Sequence, residues 1–124
     1  MTESLRSFLD RYSDALGRLD VETLAGMYAS PCLFVGSGQT AAFTDPRDLL
    51  RHLGAVAEER AEQGVGETIP TRVQTIADGG GQTVVLVNWL MERRDGPPKT
   101  FHSLYHLVHA DGTWRIAVSS SLDR

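Results

Sequence analysis

The chain has 124 residues, of which 41% are hydrophobic and 23% charged, as is typical of one soluble globular domain spanning residues 1–124. Its formal net charge of −4 argues against a nucleic-acid partner, because surfaces that bind nucleic acid are usually basic. The single cysteine, Cys32, excludes an intrachain disulfide and favours a reducing compartment. The sequence shows no secretory pattern and no apolar run near the ~20 residues of a membrane helix. We therefore expect a cytoplasmic protein without a membrane segment.

The chain opens with two predicted helices. Apolar residues recur at helical spacing over residues 3–19, with charged residues on the opposite side, so this segment predicts a long amphipathic helix. Asp20 is a typical N-cap residue and predicts the start of a short second helix over residues 21–29.

Two short strands and a third helix follow. The strands are predicted over residues 33–35 and 40–43, with a glycine-rich turn between them. Asp45 and Pro46 are residues favoured at the N-cap and the first helical position, and they predict the start of the third helix. Gly64 marks the end of that helix.

The second half of the chain predicts strands only. One strand is expected over residues 68–77, and a three-stranded antiparallel meander over residues 83–122. Asp95-Gly96-Pro97-Pro98 and Asp111-Gly112 divide this meander, and Asp-Gly between apolar runs is the strongest short-range hairpin signal. The predicted order ααββαββββ defines an α+β domain in which helices cover one face of a mainly antiparallel sheet.

The whole pattern resembles the nuclear transport factor 2-like superfamily, which includes SnoaL-like polyketide cyclases and ketosteroid isomerases. The likeness lies in Met27-Tyr28-Ala29-Ser30, in Asp45-Pro46 and in Asp111-Gly112-Thr113-Trp114-Arg115-Ile116. It covers nearly all of the chain. The resemblance implies a curved, mixed, cystatin-like sheet that forms a cone around the first helix, with an internal pocket and frequent dimers. Because many activities share this scaffold, it implies the fold more than the function.

The turn at Asp111-Gly112 allows the last two strands to be paired. An uninterrupted ladder places Leu107 opposite Ile116, Tyr105 opposite Val118 and Ser103 opposite Ser120. Together with Trp114, most of these side chains form an apolar face, which we expect to pack against the helices.

The pairing across the Pro-Pro turn is predicted from Glu92 opposite Lys99. Asn88 then lies opposite Ser103, so that Asn88, Ser103 and Ser120 form a polar row on the inner wall. A ligand or a trapped water is one partner for this row, and mutual hydrogen bonding is the alternative. A slip of one residue at the turn would instead direct Trp89 inward.

The same pairing leaves an apolar outer face, which predicts an interface. We expect a homodimer packed sheet to sheet through Val85, Val87, Trp89, Leu104 and His106. The alternative is that this chain's own N-terminal strands cover the face.

No cofactor or metal site is predicted. His102 and His106 point to the same side of a strand but lie ~13 Å apart at ~3.3 Å per residue, so they cannot share one ion. His52 is expected on a helix surface and His109 at a hairpin end. Cys32 is expected to be a buried structural thiol.

The resemblance gives Tyr12 a chemical role to consider. In the isomerase branch, a tyrosine on the first helix donates a hydrogen bond to the developing oxyanion, and a carboxylate at the end of the first strand is the base. Here Phe34-Val35-Gly36-Ser37 contains no acid. We therefore predict that Tyr12 is a core tyrosine whose hydroxyl reaches pocket water.

These patterns predict a protein that binds an apolar, ring-containing small molecule, without an identifiable catalytic set. The predicted pocket residues are Tyr12, Tyr28, Phe34, Asn88, Ser103, Tyr105, Trp114 and Ser120. Two alternatives are an isomerase, cyclase or dehydratase acting on a cyclic polyketide- or steroid-like substrate, and a structural dimerisation module.

Overall fold

The computed structural model describes residues 3–123. The helices in this range are α1 (Leu5–Arg18), α2 (Val21–Ala25) and α3 (Pro46–Glu62). The strands are β1 (Tyr28–Gly36), β2 (Gln39–Phe43), β3 (Val65–Gly79), β4 (Gln82–Arg93), β5 (Lys99–Ala110) and β6 (Thr113–Ser121). The element order ααββαββββ confirms the predicted α+β class.

The strands form one open, mixed sheet. Its order is β2-β1-β6-β5-β4-β3, with β1 and β6 parallel and all other neighbours antiparallel. Side chains from the helices pack with one face of this sheet, which we call the inner face. They form a core that includes Phe8, Leu9, Tyr12, Ala15, Leu24, Leu49, Leu53, Val85, Val87, Trp89, Tyr105, Leu107 and Ile116.

The helix boundaries follow from local capping. The Ser4 side chain accepts a hydrogen bond from the Ser7 amide at the start of α1, and Asp45 accepts one from Arg47 at the start of α3. The second helix is shorter than predicted because it ends at Gly26. The chain then pairs with the last strand, where the Ile116 amide donates to the Met27 carbonyl at 2.9 Å.

The Asp111-Gly112 turn forms as predicted. Both residues have positive φ, 52° and 79°, as a type I′ hairpin turn requires. Ala110 pairs with Thr113 across this turn, and Leu107 pairs with Ile116. The start of the predicted ladder between β5 and β6 is therefore confirmed.

The predicted register between β4 and β5 is wrong by one residue. Met91, not Glu92, pairs with Lys99, and Trp89 consequently pairs with Phe101. This register buries Trp89 completely and keeps the amide of Asn88 out of the core. Burying the large apolar surface of a tryptophan gives a physical reason for this register, although the buried indole Nε1–H of Trp89 has no hydrogen-bond partner among residues 3–123.

This register also corrects the predicted outer face. Val85, Val87 and Trp89 are predicted on a dimer surface, but each is 0% exposed within the core. Leu104 pairs with Leu86, and His106 pairs with Val84, on the opposite, outer face. Two of the five residues predicted at the interface therefore lie on the outer face, and three do not.

A bulge interrupts the ladder between β5 and β6. Leu107 pairs with Ile116, but His106 pairs with Val118, so Ala117 is an extra residue in β6. Tyr105 consequently pairs with Ser119 instead of Val118.

The same shift changes the partner of Ser103, which pairs with Ser121 instead of Ser120. The predicted row of Asn88, Ser103 and Ser120 therefore does not form. Ser103 remains buried, whereas Asn88 pairs with His102 and Ser120 with Leu104 on the outer face.

Candidate functional site

A cavity of about 190 Å³ lies between the helices and the inner face of the sheet. Its walls are formed by Tyr12, Leu16, Leu19, Leu24, Tyr28, Phe34, His52, Leu53, Val56, Ala57, Arg60, Phe101, Tyr105 and Ser119. Most of these side chains are aliphatic or aromatic. The polar groups are three phenols, one imidazole, one guanidinium and one hydroxyl, so the cavity is an apolar space with a few directional groups.

Helical spacing explains which residues of α3 reach the cavity. Val56, Ala57 and Arg60 follow Leu53 by three, four and seven residues, so the four share one face of the helix. His52 is four residues before Val56 and lies at the edge of the same face. The polar residues His52 and Arg60 therefore interrupt an otherwise apolar stripe.

The hydroxyls of Tyr12 and Tyr28 form a hydrogen bond of 2.6 Å inside the cavity wall. The Tyr12 ring also meets Tyr105 edge to face at 5.8 Å and lies 6.1 Å from the Trp89 ring. Tyr12 is therefore the centre of an aromatic cluster that joins α1 to β1, β4 and β5.

Burial raises the pKa of Tyr12 well above its ordinary value, and the neighbouring Tyr28 raises it further. Burial likewise raises the pKa of Tyr28 and of Tyr105. All three phenols therefore keep their protons at neutral pH. In the Tyr12–Tyr28 pair one hydroxyl donates to the other, and the accepting hydroxyl keeps its own proton, which it can donate to a neighbouring hydroxyl of Tyr105 or Ser119 or to a ligand.

His52 packs between two aromatic rings. Its imidazole centroid lies 4.7 Å from that of Phe34 and 4.9 Å from that of Phe43. Burial lowers the pKa of His52, so its imidazole is neutral near pH 7 and has one nitrogen able to accept a proton. His52 is therefore half-buried on α3 at the edge of the cavity, whereas a helix-surface position was predicted.

Arg60 carries a positive charge to the same cavity. Its Nη2 donates to the Thr68 hydroxyl at 2.6 Å, and its buried Nε has no hydrogen-bond partner among residues 3–123. Within that range no carboxylate lies within 4.0 Å of the guanidinium. Burial lowers the pKa of Arg60, although an arginine remains charged at any physiological pH.

Four of the eight predicted pocket residues line the cavity: Tyr12, Tyr28, Phe34 and Tyr105. Ser103 is buried but does not line it, and Trp114 packs half-buried beside the core with its ring 5.0 Å from His109. Asn88 and Ser120 lie on the outer face because of the two register changes described above.

Among the polar residues of the cavity wall, the sequence interpretation missed three: His52, Arg60 and Ser119. The first two were detectable from helical spacing, because they lie on or beside the face of α3 that contains Leu53, Val56 and Ala57. Ser119 was not, since its inward direction depends on the bulge at Ala117.

Cys32 and the strand histidines lie outside the cavity wall. Cys32 is 2% exposed, as predicted, and burial raises the pKa of its thiol. His102 pairs with Asp123, with its Nδ1 3.1 Å from Oδ1, and His106 Nε2 lies 2.7 Å from Gln82 Oε1. Residues 3–123 contain no group of three or more His, Cys, Asp or Glu side chains arranged to hold a metal ion.

None of the helices within residues 3–123 has the length and apolar character needed to span a membrane.

The structure is that of an α+β protein in which helices pack on one face of an open, mixed sheet, with a cavity between the two layers. The model of the family described as NTF2-like protein (DUF6841) matches residues 2–124, and the chain belongs to this family. A comparison with curated proteins gives no match.

Solved structures share the fold at low sequence identity. A variant of Rv3472 from Mycobacterium tuberculosis, a function unknown protein, is 20% identical with a TM-score of 0.75, over 97% of this chain and 70% of that chain. The beta subunit of the benzoate 1,2-dioxygenase from Burkholderia mallei is 16% identical with a TM-score of 0.71, and the match covers 98% of this chain and 91% of that chain. A ketosteroid isomerase-like protein from Erwinia carotovora atroseptica is 17% identical with a TM-score of 0.65, and the match covers 97% of this chain and 95% of that chain. These similarities establish the fold alone.

Proposed function

We propose that the protein binds a small cyclic molecule in the cavity between the helices and the inner face of the sheet. The observation that carries the proposal is the hydrogen-bonded hydroxyl pair of Tyr12 and Tyr28 in the wall of a mainly apolar cavity. Small-molecule sites commonly combine apolar walls with a few convergent polar groups.

The size of the cavity limits the ligand. An engineered apolar cavity of about 150 Å³ in another protein holds benzene. The present volume of about 190 Å³ therefore suits one ring with a small substituent. It is below the ~300–1,000 Å³ of pockets that enclose drug-sized ligands, which disfavours a steroid. Val56 lines the cavity and is 37% exposed, so a substituent could extend past it into solvent.

The proposal is tested by a thermal-shift and native mass spectrometry screen of monocyclic metabolites. A true ligand is expected to raise the melting temperature of the wild-type protein. Tyr12→Phe, which removes one hydroxyl, and Ala57→Phe, which fills the cavity, should each weaken this effect.

Asn88→Leu on the outer face is the matched control and should leave ligand binding unchanged. A ligand whose binding is unaffected by both Tyr12→Phe and Ala57→Phe would show that the site lies elsewhere. A screen that finds no monocyclic ligand would contradict the proposed function.

A second candidate function is proton-transfer catalysis on a cyclic ketone. The observation that favours it is His52, a neutral imidazole in the same cavity as the phenol donors. His52 would take a proton from the carbon beside the carbonyl, and the accepting hydroxyl of the Tyr12–Tyr28 pair would donate its own proton in a hydrogen bond to the enolate oxygen. The proton returned to another carbon would complete an isomerisation.

Exchange of the α-hydrogens of cyclohexenones into deuterated water, followed by NMR, tests this candidate. His52→Gln should abolish catalysed exchange while leaving ligand binding detectable. Exchange no faster than in buffer, for ketones that bind, would exclude this reaction for them.

We also propose a cytoplasmic homodimer. The single buried thiol of Cys32 is compatible with a reducing compartment. The outer face retains half-buried apolar side chains, among them Leu86, Leu90 and Leu104, which would be covered by a second copy of the sheet.

A further inference from the structure

We propose that the ligand is an anion, specifically a monocyclic carboxylate whose carboxyl group pairs with Arg60. This inference rests on the proposed function and adds the charge of the ligand to it. It starts from a cation that the described part of the chain leaves without an anionic partner.

The surroundings of Arg60 are unfavourable for an isolated charge. The side chain is half-buried, and its neighbours in the cavity wall, including Leu53, Val56 and Ala57, are apolar. A buried charge is usually compensated by an opposite charge because desolvation costs several kcal/mol. The neutral hydroxyl of Thr68 is the hydrogen-bond acceptor assigned to this guanidinium.

Thr68 holds the guanidinium in a defined position. Its side chain is 0% exposed, its hydroxyl accepts from Arg60, and its carbonyl accepts a hydrogen bond from Ser13 of α1. The guanidinium is therefore fixed to β3, next to the cavity. Such preorganisation favours anion binding because little side-chain freedom is lost when the ligand arrives.

The phenols do not supply the missing negative charge. Burial keeps Tyr12 and Tyr105 protonated, although the charge of Arg60 partly offsets the effect of burial on the pKa of Tyr12. A carboxylate would bring a negative charge for Arg60, and its lone pairs could accept a hydrogen bond from a phenol of the cavity wall. Its ring would occupy the apolar part of the wall, near Phe34 and Phe101.

Matched ligand pairs separate charge from shape. Benzoate and benzamide, and cyclohexanecarboxylate and cyclohexanecarboxamide, are titrated by calorimetry at pH 7.5, where both acids are ionised. We expect at least one carboxylate to bind about tenfold or more tightly than its amide, as charge-assisted hydrogen bonds are the stronger kind.

Two substitutions on the same helix test the assignment to Arg60. Arg60→Gln removes the charge and should reduce the preference for carboxylate to less than about twofold. Arg51→Gln is the matched control, because the Arg51 side chain is 79% exposed, and it should retain the preference. In wild-type protein, carboxylate binding should also shift the NMR resonance of the Arg60 Nε–H, a readout that does not require the variant to fold.

The outcomes distinguish this inference from the function on which it rests. Amides that bind as tightly as their carboxylates would overturn the inference and support the proposed pocket. A carboxylate preference retained in folded Arg60→Gln would also overturn it. If neither the anionic carboxylates nor the neutral amides, nor any other cyclic compound, bind the wild-type protein, both the inference and the proposed function fail.

Discussion

The hydroxyls of Tyr12 and Tyr28 lie 2.6 Å apart although the two residues belong to different elements, α1 and β1. This hydrogen bond connects the first helix to the strand beside β6 and supplies the candidate donor to a ligand. Its contribution can be measured because phenylalanine keeps each ring in place.

A double-mutant cycle on this pair is the first prediction. Tyr12→Phe and Tyr28→Phe should each lower the free energy of unfolding by ~1–2 kcal/mol, since each leaves a buried hydroxyl without its partner. The double variant should be less destabilised than the sum of the two. Urea denaturation gives these values, and strict additivity would indicate that the hydrogen bond contributes nothing measurable.

The register of β4 gives the second prediction. Trp89→Ala should destabilise the protein by ~3–5 kcal/mol because it opens a large cavity in the core. Asn88→Ala, one residue away on the outer face, should change stability by no more than ~0.5 kcal/mol. Trp89→Phe provides an intermediate loss if Trp89→Ala does not fold. A larger effect at Asn88 than at Trp89 would require the alternative register.

The third prediction concerns His52 and pH. Burial holds the pKa of His52 below the 6.5 of an unperturbed histidine. At a pH between the lowered pKa of the folded protein and the 6.5 of the unfolded chain, His52 binds a proton in the unfolded chain but not in the folded protein. This residue therefore lowers the free energy of unfolding as the pH falls below about 6.5. His52→Gln should remove part of the stability loss between pH 7.5 and 5.

Urea denaturation at several pH values measures this effect, with His109→Gln as the control because His109 is exposed. An unchanged pH profile in His52→Gln would show that His52 does not titrate differently on folding.

The fourth prediction concerns the ion pair at the start of α1. Glu3 accepts hydrogen bonds of 2.7 Å from Arg11, and these bonds, together with the Thr113 hydroxyl, hold its pKa at about 2. Because the folded value lies below the ordinary 4.5, the stabilisation is complete above pH 4.5 and is lost as the pH falls towards 2. Glu3→Gln should therefore be less stable than wild type at pH 7, with a smaller difference at pH 3.

Denaturant midpoints at both pH values test this prediction, and Glu58→Gln on the exposed side of α3 is the control. A difference between wild type and Glu3→Gln that is constant with pH would contradict the assigned ion pair.

Dimerisation through the outer face is the fifth prediction. Leu104→Glu places a charge on this face and should convert a dimer to a monomer in sedimentation velocity at micromolar concentration. Leu50→Glu is the control, because Leu50 is 38% exposed on α3. A monomeric wild-type protein, or a dimer that tolerates Leu104→Glu, would exclude this interface.

Local signals predicted the fold well because they act over a few residues. Asp45 and Pro46 start α3 as expected, and the Asp111-Gly112 turn sets the correct pairing of Leu107 with Ile116. The periodicity of α1 also identified Tyr12 as an inward residue. These features depend on capping, turn geometry and helical spacing, all of which are properties of short segments.

The inner wall of the sheet was less predictable because small changes in register have large effects. A shift of one residue at the Pro-Pro turn places Trp89 instead of Asn88 on the inner wall. The bulged residue in β6 likewise places Ser119 there instead of Ser120. Both faces of β4 are largely apolar, so alternation alone did not decide between them. His52 and Arg60 were overlooked for another reason: polar side chains on a helix are usually solvated.

The bulge at Ala117 has a consequence for comparing members of this family. In a regular ladder, Val118 would face Tyr105, and the wall would present a methyl surface where it now has the hydroxyl of Ser119. The chemistry of this position thus depends on strand length as well as on residue identity. Removing Ala117 would straighten the strand and keep Ser119 opposite Tyr105. A relative that lacks the residue at position 117 would therefore keep this hydroxyl in the wall, whereas a strand of the same length without the bulge would replace it with the side chain of Val118.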